Sequence, residues 1–190
     1  TLFPYTTLFR SGRAMTIPNA LTLLRFCLIP LTVVLIQERQ FQIAFLVFVL
    51  AGLTDAVDGF IARRFNQQSE LGAYLDPLAD KLLIAASFVA LFAVQAMPYW
   101  LVVLVIFRDV MIVGAVAIAW LLNNPIPIEP LLISKCNTAA QISAVAFTLA
   151  AGSFFVAPAM SHQIVHLIVA LLTVLSVGAY FVKWFRHMAE

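Results

Sequence analysis

Residues 55–80 read DAVDGFIARRFNQQSELGAYLDPLAD and carry four aspartates, two arginines and two glycines in twenty-six positions. The segments on either side are apolar, so these carboxylates lie within or against a hydrocarbon phase. One carboxylate at the centre of a bilayer costs about 2.5–3.5 kcal/mol on insertion scales. A cluster of them persists only where something cationic offsets that cost. A divalent metal meets the requirement, and such a metal in turn holds a phosphate-bearing substrate.

The surrounding composition sets the class. Of 190 residues, 63% are hydrophobic and 11% are charged, whereas a soluble domain carries about 25% charged residues. A hydrocarbon core needs about 20 residues per helix, so this length suits an all-α integral membrane protein, a bundle of about six transmembrane helices. A polar cavity facing the cytoplasm is expected where the aspartates gather. The formal net charge of +2 gives no ground for a nucleic-acid partner. Cys27 and Cys136 fall in or beside different apolar segments, without the spacing of a redox pair or a metal site. No disulfide framework is expected.

Residues 1–14 show neither a membrane-length apolar run nor a signal-peptide layout. They are expected to be a non-native or disordered leader, with residues 15–190 forming a single domain. Helices are expected over residues 18–36, 41–65, 71–96, 98–122, 131–157 and 163–184. Thr16 can cap the first, and Pro30 should bend it. Pro158 should stop the fifth. Arg25, alone in an apolar run, must snorkel or face the bundle interior. Arg63, Arg64, Lys135, Lys183 and Arg186 fall on one side together with the N-terminus, and Arg39 falls on the other. The positive-inside rule then puts both termini and the aspartates on the cytoplasmic side.

Asp55 and Asp58 are three apart, about 60° on one helix face, and Asp76 and Asp80 are four apart, about 40° on the next. Antiparallel helices joined by a short connector bring the four carboxylates to one seam. Mg²⁺ or Mn²⁺ favours such oxygen donors and completes its shell with phosphate and water. Gly59 and Gly72 leave room for a nucleotide against the backbone. Arg63 presents a planar fork to a phosphate. Pro77 bends the second helix beside its carboxylates. A bland alternative pairs the aspartates with Arg63, Arg64 and Lys81. It leaves the seam's position in the membrane without a purpose, because intramembrane carboxylates mark function by default.

The spacing Asp55-x2-Asp58-Gly59-x2-Ala62-Arg63-x8-Gly72-x3-Asp76-x3-Asp80 resembles the CDP-alcohol phosphatidyltransferase signature at every position. The resemblance implies transfer of a phosphatidyl group from CDP-diacylglycerol to an alcohol, with release of CMP. It implies Asp55, Asp58, Asp76 and Asp80 around Mg²⁺ or Mn²⁺, with Asp80 as general base. Asp55, Gly59, Ala62, Arg63 and Gly72 would hold the CDP-lipid. Membrane lipids surround such proteins, and family members are commonly homodimers in a bacterial inner membrane or its organelle equivalent.

The acceptor is argued from Arg108-Asp109 and from the segment Ser134 to Gln141. Both resemble the branch holding cardiolipin synthases and phosphatidylglycerophosphate synthases. The glycerol-phosphate enzymes usually carry basic residues at the positions held here by Val116 and Asn137. A phosphate monoester has about two negative charges and calls for a pocket rich in Lys and Arg. With two cations fewer, phosphatidylglycerol is the expected acceptor and cardiolipin the product; glycerol 3-phosphate is the alternative. Lys135 and Arg108 are the candidate acceptor contacts. Counted along its helix, however, Arg108 lies about 20 Å from the cytoplasmic end, so it equally suits a structural partner for a buried acid. Asp109 projects about 100° from Arg108, and the two are not expected to pair.

Two further signals bear on the reading. His162 and His166 have the i, i+4 spacing of a metal pair but no third ligand, and read as interfacial residues. Intramembrane acids also suit a divalent-cation transporter, the competing non-enzyme reading. A transporter has no use for Gly59, Ala62, Arg63 and Gly72 at nucleotide-cradle spacing.

Overall fold

Apolar runs rich in Leu, Ala, Phe and Val fold in the computed structural model as α1 (Ile17–Gln37), α2 (Phe41–Phe65), α3 (Glu70–Ala93), α4 (Tyr99–Leu121), α5 (Leu132–Ala151) and α6 (Ala159–Ala189). The structure describes the backbone of residues 17–65, 70–121 and 132–189, and the side chains of residues 22–54, 77–114 and 132–182. Residues 1–14 and the Thr16 cap lie outside the described residues.

α1 packs along both α2 and α3, and α5 packs along α6. α2 and α3 each reach α5, while α4 closes against α3 and α6. The core is aliphatic and aromatic: Leu35 and Ile36 of α1, Phe48 of α2, Phe88 and Leu91 of α3, Leu101 and Val105 of α4, and Leu149 of α5. Ala44, Ala51 and Ala144 are fully buried, and their small side chains let helix backbones approach closely.

The outward faces are equally apolar. Among the described residues, the stretch Ala159–Val182 is long and apolar enough to cross a bilayer, with a mean hydropathy of 2.3. Its Ile164, Leu167, Leu171 and Val174 are exposed, so the natural neighbour of this helix is lipid. Three buried hydroxyl groups are satisfied within their own helices. Thr32 donates to the Leu28 carbonyl (2.8 Å), Ser87 to Leu83 (2.7 Å) and Thr148 to Ala144 (2.8 Å). Where water is absent, the carbonyl one turn back is the available acceptor.

Helix ends explain most departures from the expected boundaries. α1 and α3 both stop in Schellman turns. Gln40 N–H donates to Leu35 O, and Ala96 N–H donates to Leu91 O. Arg39 (φ 58°) and Gln95 (φ 61°) take the left-handed position that glycine usually fills. α3 therefore ends at Ala93 rather than Ala96. α5 ends at Ala151, six residues before its expected limit at Ala157, and α6 begins at Ala159 rather than Gln163. Pro158 does not terminate α5, which has already broken at Gly152. A Cβ on Gly152 would sit 2.7 Å from Phe41 Cδ2, so the residue just past the end of α5 packs closely against the start of α2.

Candidate functional site

The eight signature residues occupy one end of two helices. Asp55, Asp58, Gly59, Ala62 and Arg63 lie on the last turns of α2, Gly72 and Asp76 on the first turns of α3, and Asp80 one turn further along α3. The side chains of all but Asp80 are outside the described residues, as is that of Val116.

Asp80 is the described member, and its partner is a residue the signature does not contain. Arg25 of α1 is fully buried, and its Nη1 lies 3.1 Å from Asp80 Oδ1. The Asp80 side chain keeps 38% of its surface exposed, so the carboxylate that meets Arg25 can also be reached from outside the bundle. For Asp80 the structure supplies Arg25 from the neighbouring helix; the other seam aspartates, with which Lys81 was expected to pair, have side chains outside the described residues. The signal for Arg25 was present in the sequence as a lone guanidinium in an apolar helix, which has to find an acid. Which acid is a tertiary fact.

A carboxylate with open surface among further aspartates on adjoining turns is a hard-oxygen donor set, and that chemistry suits Mg²⁺ or Mn²⁺. Among the described residues, no group of three or more His, Cys, Asp or Glu side chains comes together. The expected ligands Asp55, Asp58 and Asp76 lie outside that set.

A second polar centre ties α4, α5 and α6. Arg108 is 2% exposed. Its Nε and Nη2 donate to Ser176 Oγ (3.3 and 3.0 Å), and Nη2 also donates to Ser134 Oγ (2.5 Å). Nη1 pairs with Asp109 Oδ1 at 2.5 Å. The expectation that Arg108 and Asp109 do not pair is therefore wrong. Helical projection separates their Cβ atoms, but the arginine stem is long enough to fold its guanidinium back to the next residue. The depth count holds along α4, which runs on to Leu121. Ser134 lies in the first turn of α5, so the Arg108 side chain reaches the start of that helix, and the ends of α4 and α5 do not share one plane.

Lys135, next to Ser134, is exposed, while Asn137 and Gln141 are buried on the opposite face of α5. Thr173 Oγ1 lies 2.9 Å from Asn137 Oδ1 and 2.7 Å from the Val169 carbonyl. A hydroxyl has one proton to give. With its amide turned end for end, Asn137 donates to Thr173 and Thr173 donates to Val169, so the single hydroxyl proton has one acceptor. The sequence reading treated Asn137 only as a missing cation; its helix-joining role depends on α6.

The histidines stand apart from both centres. His162 stacks near Phe147 with ring centroids 5.2 Å apart, and His166 lies 6.3 Å from His162. They sit in the first turns of α6. Both cysteines are free and exposed.

Comparison with known proteins places these features. The CDP-alcohol phosphatidyltransferase family model matches residues 15–177. The human cardiolipin synthase (CMP-forming) is 42% identical over 182 residues, covering 87% of this chain and 60% of that protein. The probable cardiolipin synthase of Drosophila melanogaster is 37% identical over 153 residues, covering 72% of this chain and 48% of the relative. A CDP-diacylglycerol–glycerol-3-phosphate 3-phosphatidyltransferase of Bacillus subtilis is 32% identical over 148 residues, covering 70% of this chain and 76% of the relative. The chain thus spans about 60% of the length of the human relative.

Proposed function

The chain belongs to the CDP-alcohol phosphatidyltransferase family, and from that premise we propose that it transfers a phosphatidyl group from CDP-diacylglycerol to phosphatidylglycerol, giving cardiolipin and CMP. The observation that carries this reading is Asp80: a carboxylate inside an apolar bundle, anchored on Arg25 and still 38% exposed. A purely structural ion pair has no need of that exposure.

The acceptor hydroxyl oxygen attacks the phosphorus that bears diacylglycerol. Its proton goes to Asp80, the bond from that phosphorus to the CMP oxygen breaks, and CMP leaves. Asp55, Asp58 and Asp76, with Asp80 beside them, would hold Mg²⁺ or Mn²⁺. When bound, the metal supplies charge neutralisation at both phosphates. Gly59, Ala62, Gly72 and Arg63 would seat the CDP moiety, with Arg63 forking a phosphate. Lys135, exposed on the first turn of α5, would meet the acceptor phosphodiester. Arg108 would serve that acceptor side by fixing Ser134, the residue before Lys135.

The same reading places six helices across a bacterial inner membrane or its organelle equivalent, with the polar cavity and both termini cytoplasmic. A homodimer is the inferred working unit. Glycerol 3-phosphate is the second acceptor reading, favoured by the Bacillus subtilis relative. Against it stands Asn137, a neutral and fully buried amide where a dianionic substrate calls for a cation.

The deciding experiment gives the full chain, in vesicles with CDP-diacylglycerol and Mn²⁺, each acceptor in turn and follows CMP release. Faster release with phosphatidylglycerol is expected. Equal or faster release with glycerol 3-phosphate would overturn the choice of acceptor.

A further inference from the structure

The end of the bundle away from the signature holds a cavity of about 460 Å³, within the range of about 300–1,000 Å³ that small-molecule sites occupy. Four helix ends line it. Phe41 opens α2, Ala96 follows α3, Ala151 closes α5, and His162 stands in the first turn of α6. Along α2, Phe41 lies about 25 Å from Asp58, so this cavity is separate from the transfer site. We propose that it takes one acyl chain of a membrane phospholipid, with the lipid's phosphate against the guanidinium of Arg39.

The lining favours a hydrocarbon chain. Ala96, Ala151, Gly152, Ala157 and Ala159 are small and leave the space open. The hydroxyl of Thr148, also on the wall, spends its proton on the Ala144 carbonyl at 2.8 Å. A polar solute would leave its hydrogen bonds largely unmet here, whereas a flexible apolar chain has none to lose.

The rim indicates a lipid as the source of that chain. Val156, which lines the cavity, is 98% exposed. Phe154, Phe155 and Met160 beside it are exposed too, and α6 continues the apolar surface through Ile164 and Leu167. A surface of this kind borders hydrocarbon rather than water.

The phosphate contact follows from charge. Arg39 Nη2 lies 3.5 Å from the Val94 carbonyl, next to the lining residue Gln95. Glu38 is turned to Gln40 Nε2 at 3.0 Å, and Arg39 has no acidic partner among the described residues. A guanidinium with donors to spare at the edge of an apolar cavity is a fork for a phosphodiester. Arg39 also holds a left-handed position (φ 58°), where glycine would sit without strain. A long cation is kept there in its place.

Full-length protein in detergent is titrated with dipalmitoyl phosphatidylcholine, which is not a substrate of the proposed reaction. Dipalmitoylglycerol supplies the chains without phosphate, and glycerophosphocholine supplies the phosphate without chains. Native mass spectrometry reads the lipid retained, and thermal melting reads the midpoint. Four proteins are compared: wild type, Ala157→Phe, Arg39→Asn and Lys135→Ala. Ala157→Phe puts a ring into the cavity. Arg39→Asn removes the guanidinium from a backbone position that asparagine tolerates. Lys135→Ala alters the opposite end of the bundle.

Wild type should retain one phosphatidylcholine per chain, with a melting midpoint that rises with lipid and then levels off. Ala157→Phe and Arg39→Asn should each weaken retention at least tenfold, and Lys135→Ala should match wild type. Dipalmitoylglycerol should bind at least tenfold more weakly than phosphatidylcholine, and glycerophosphocholine should not shift the midpoint.

Failure of wild type to retain any lipid rejects the proposal. Undiminished retention in Ala157→Phe, with its melting transition intact, rejects the cavity as the site. Undiminished retention in Arg39→Asn, or equal binding of dipalmitoylglycerol, rejects the phosphate contact. Weakening in Lys135→Ala but not in Arg39→Asn moves the lipid to the acceptor end and rejects the proposal as well. If Ala157→Phe does not melt cooperatively, Arg39→Asn and the dipalmitoylglycerol titration decide the outcome.

Discussion

Removing the guanidinium of Arg108 is the sharpest probe of how α4, α5 and α6 are held. The residue is 2% exposed and bonds Ser134, Ser176 and Asp109. Arg108→Met keeps the stem and deletes every one of these bonds. Ser176, inside α6, loses little, because its hydroxyl can turn to the carbonyl one turn back, as Thr138 and Ser143 of α5 already do at 3.2 and 2.8 Å. Side-chain hydrogen bonds between membrane helices are worth about 0.6 kcal/mol each on average.

Asp109 cannot compensate in that way. Its side chain is only 17% exposed, and stranding a buried charge costs about 3–5 kcal/mol. The partial exposure puts Asp109 at the lower end of that range. The expected loss is about 3 kcal/mol, or a fall of about 6–12 °C in melting midpoint for a chain of this size.

Scanning calorimetry or tryptophan fluorescence on detergent-solubilised protein reads the shift. The double change Arg108→Met/Asp109→Asn should regain at least half of it, because the penalty belongs mainly to the orphaned carboxylate. A single variant that melts with wild type would refute the reasoning. A double variant no better than the single would show that the serine bonds, not the carboxylate, carry the energy.

Other outcomes follow from single residues. Gln95→Gly should stabilise by about 0.5–1 kcal/mol, since the left-handed turn that ends α3 no longer bears a Cβ; thermal melting checks it. Gly152→Ala should destabilise by about 1–3 kcal/mol, because its Cβ meets the Phe41 ring at 2.7 Å; the companion Phe41→Leu should relieve part of that in the same melt. Lys135→Ala should raise the KM for phosphatidylglycerol more than that for CDP-diacylglycerol, measured by CMP release at varied acceptor. His162→Ala with His166→Ala should leave CMP release unchanged, and a loss above about tenfold would return these residues to the list of functional candidates.

The helical layout was legible because apolar runs long enough to form membrane helices are separated by polar or proline-bearing connectors. The limits of α2, Phe41–Phe65, are those its sequence indicates. The end of α5 was not legible: the helix breaks at Gly152, which packs on Phe41, more than a hundred residues away in the chain. Pro158, the local punctuation, pointed to the wrong place. Arg25, Arg108 and Asp80 were each visible as charges that apolar surroundings would not leave alone. Their partners were not visible: helical periodicity fixes the face of a residue, whereas the reach of an arginine stem and the stagger of helix ends are settled by packing. The family signature was legible in full, because chemistry at fixed spacing survives without tertiary information.

The account depends above all on the aspartates of α2 and α3 holding a divalent cation together with the CDP-lipid. The most direct measurement is a Mn²⁺ titration followed by electron paramagnetic resonance, in vesicles containing CDP-diacylglycerol. Wild type is compared with Asp58→Asn and Asp76→Asn, each shown to retain its melting transition. Saturable Mn²⁺ binding in wild type, weakened at least tenfold in each variant, is the predicted result. Binding of equal strength in all three proteins would contradict the account.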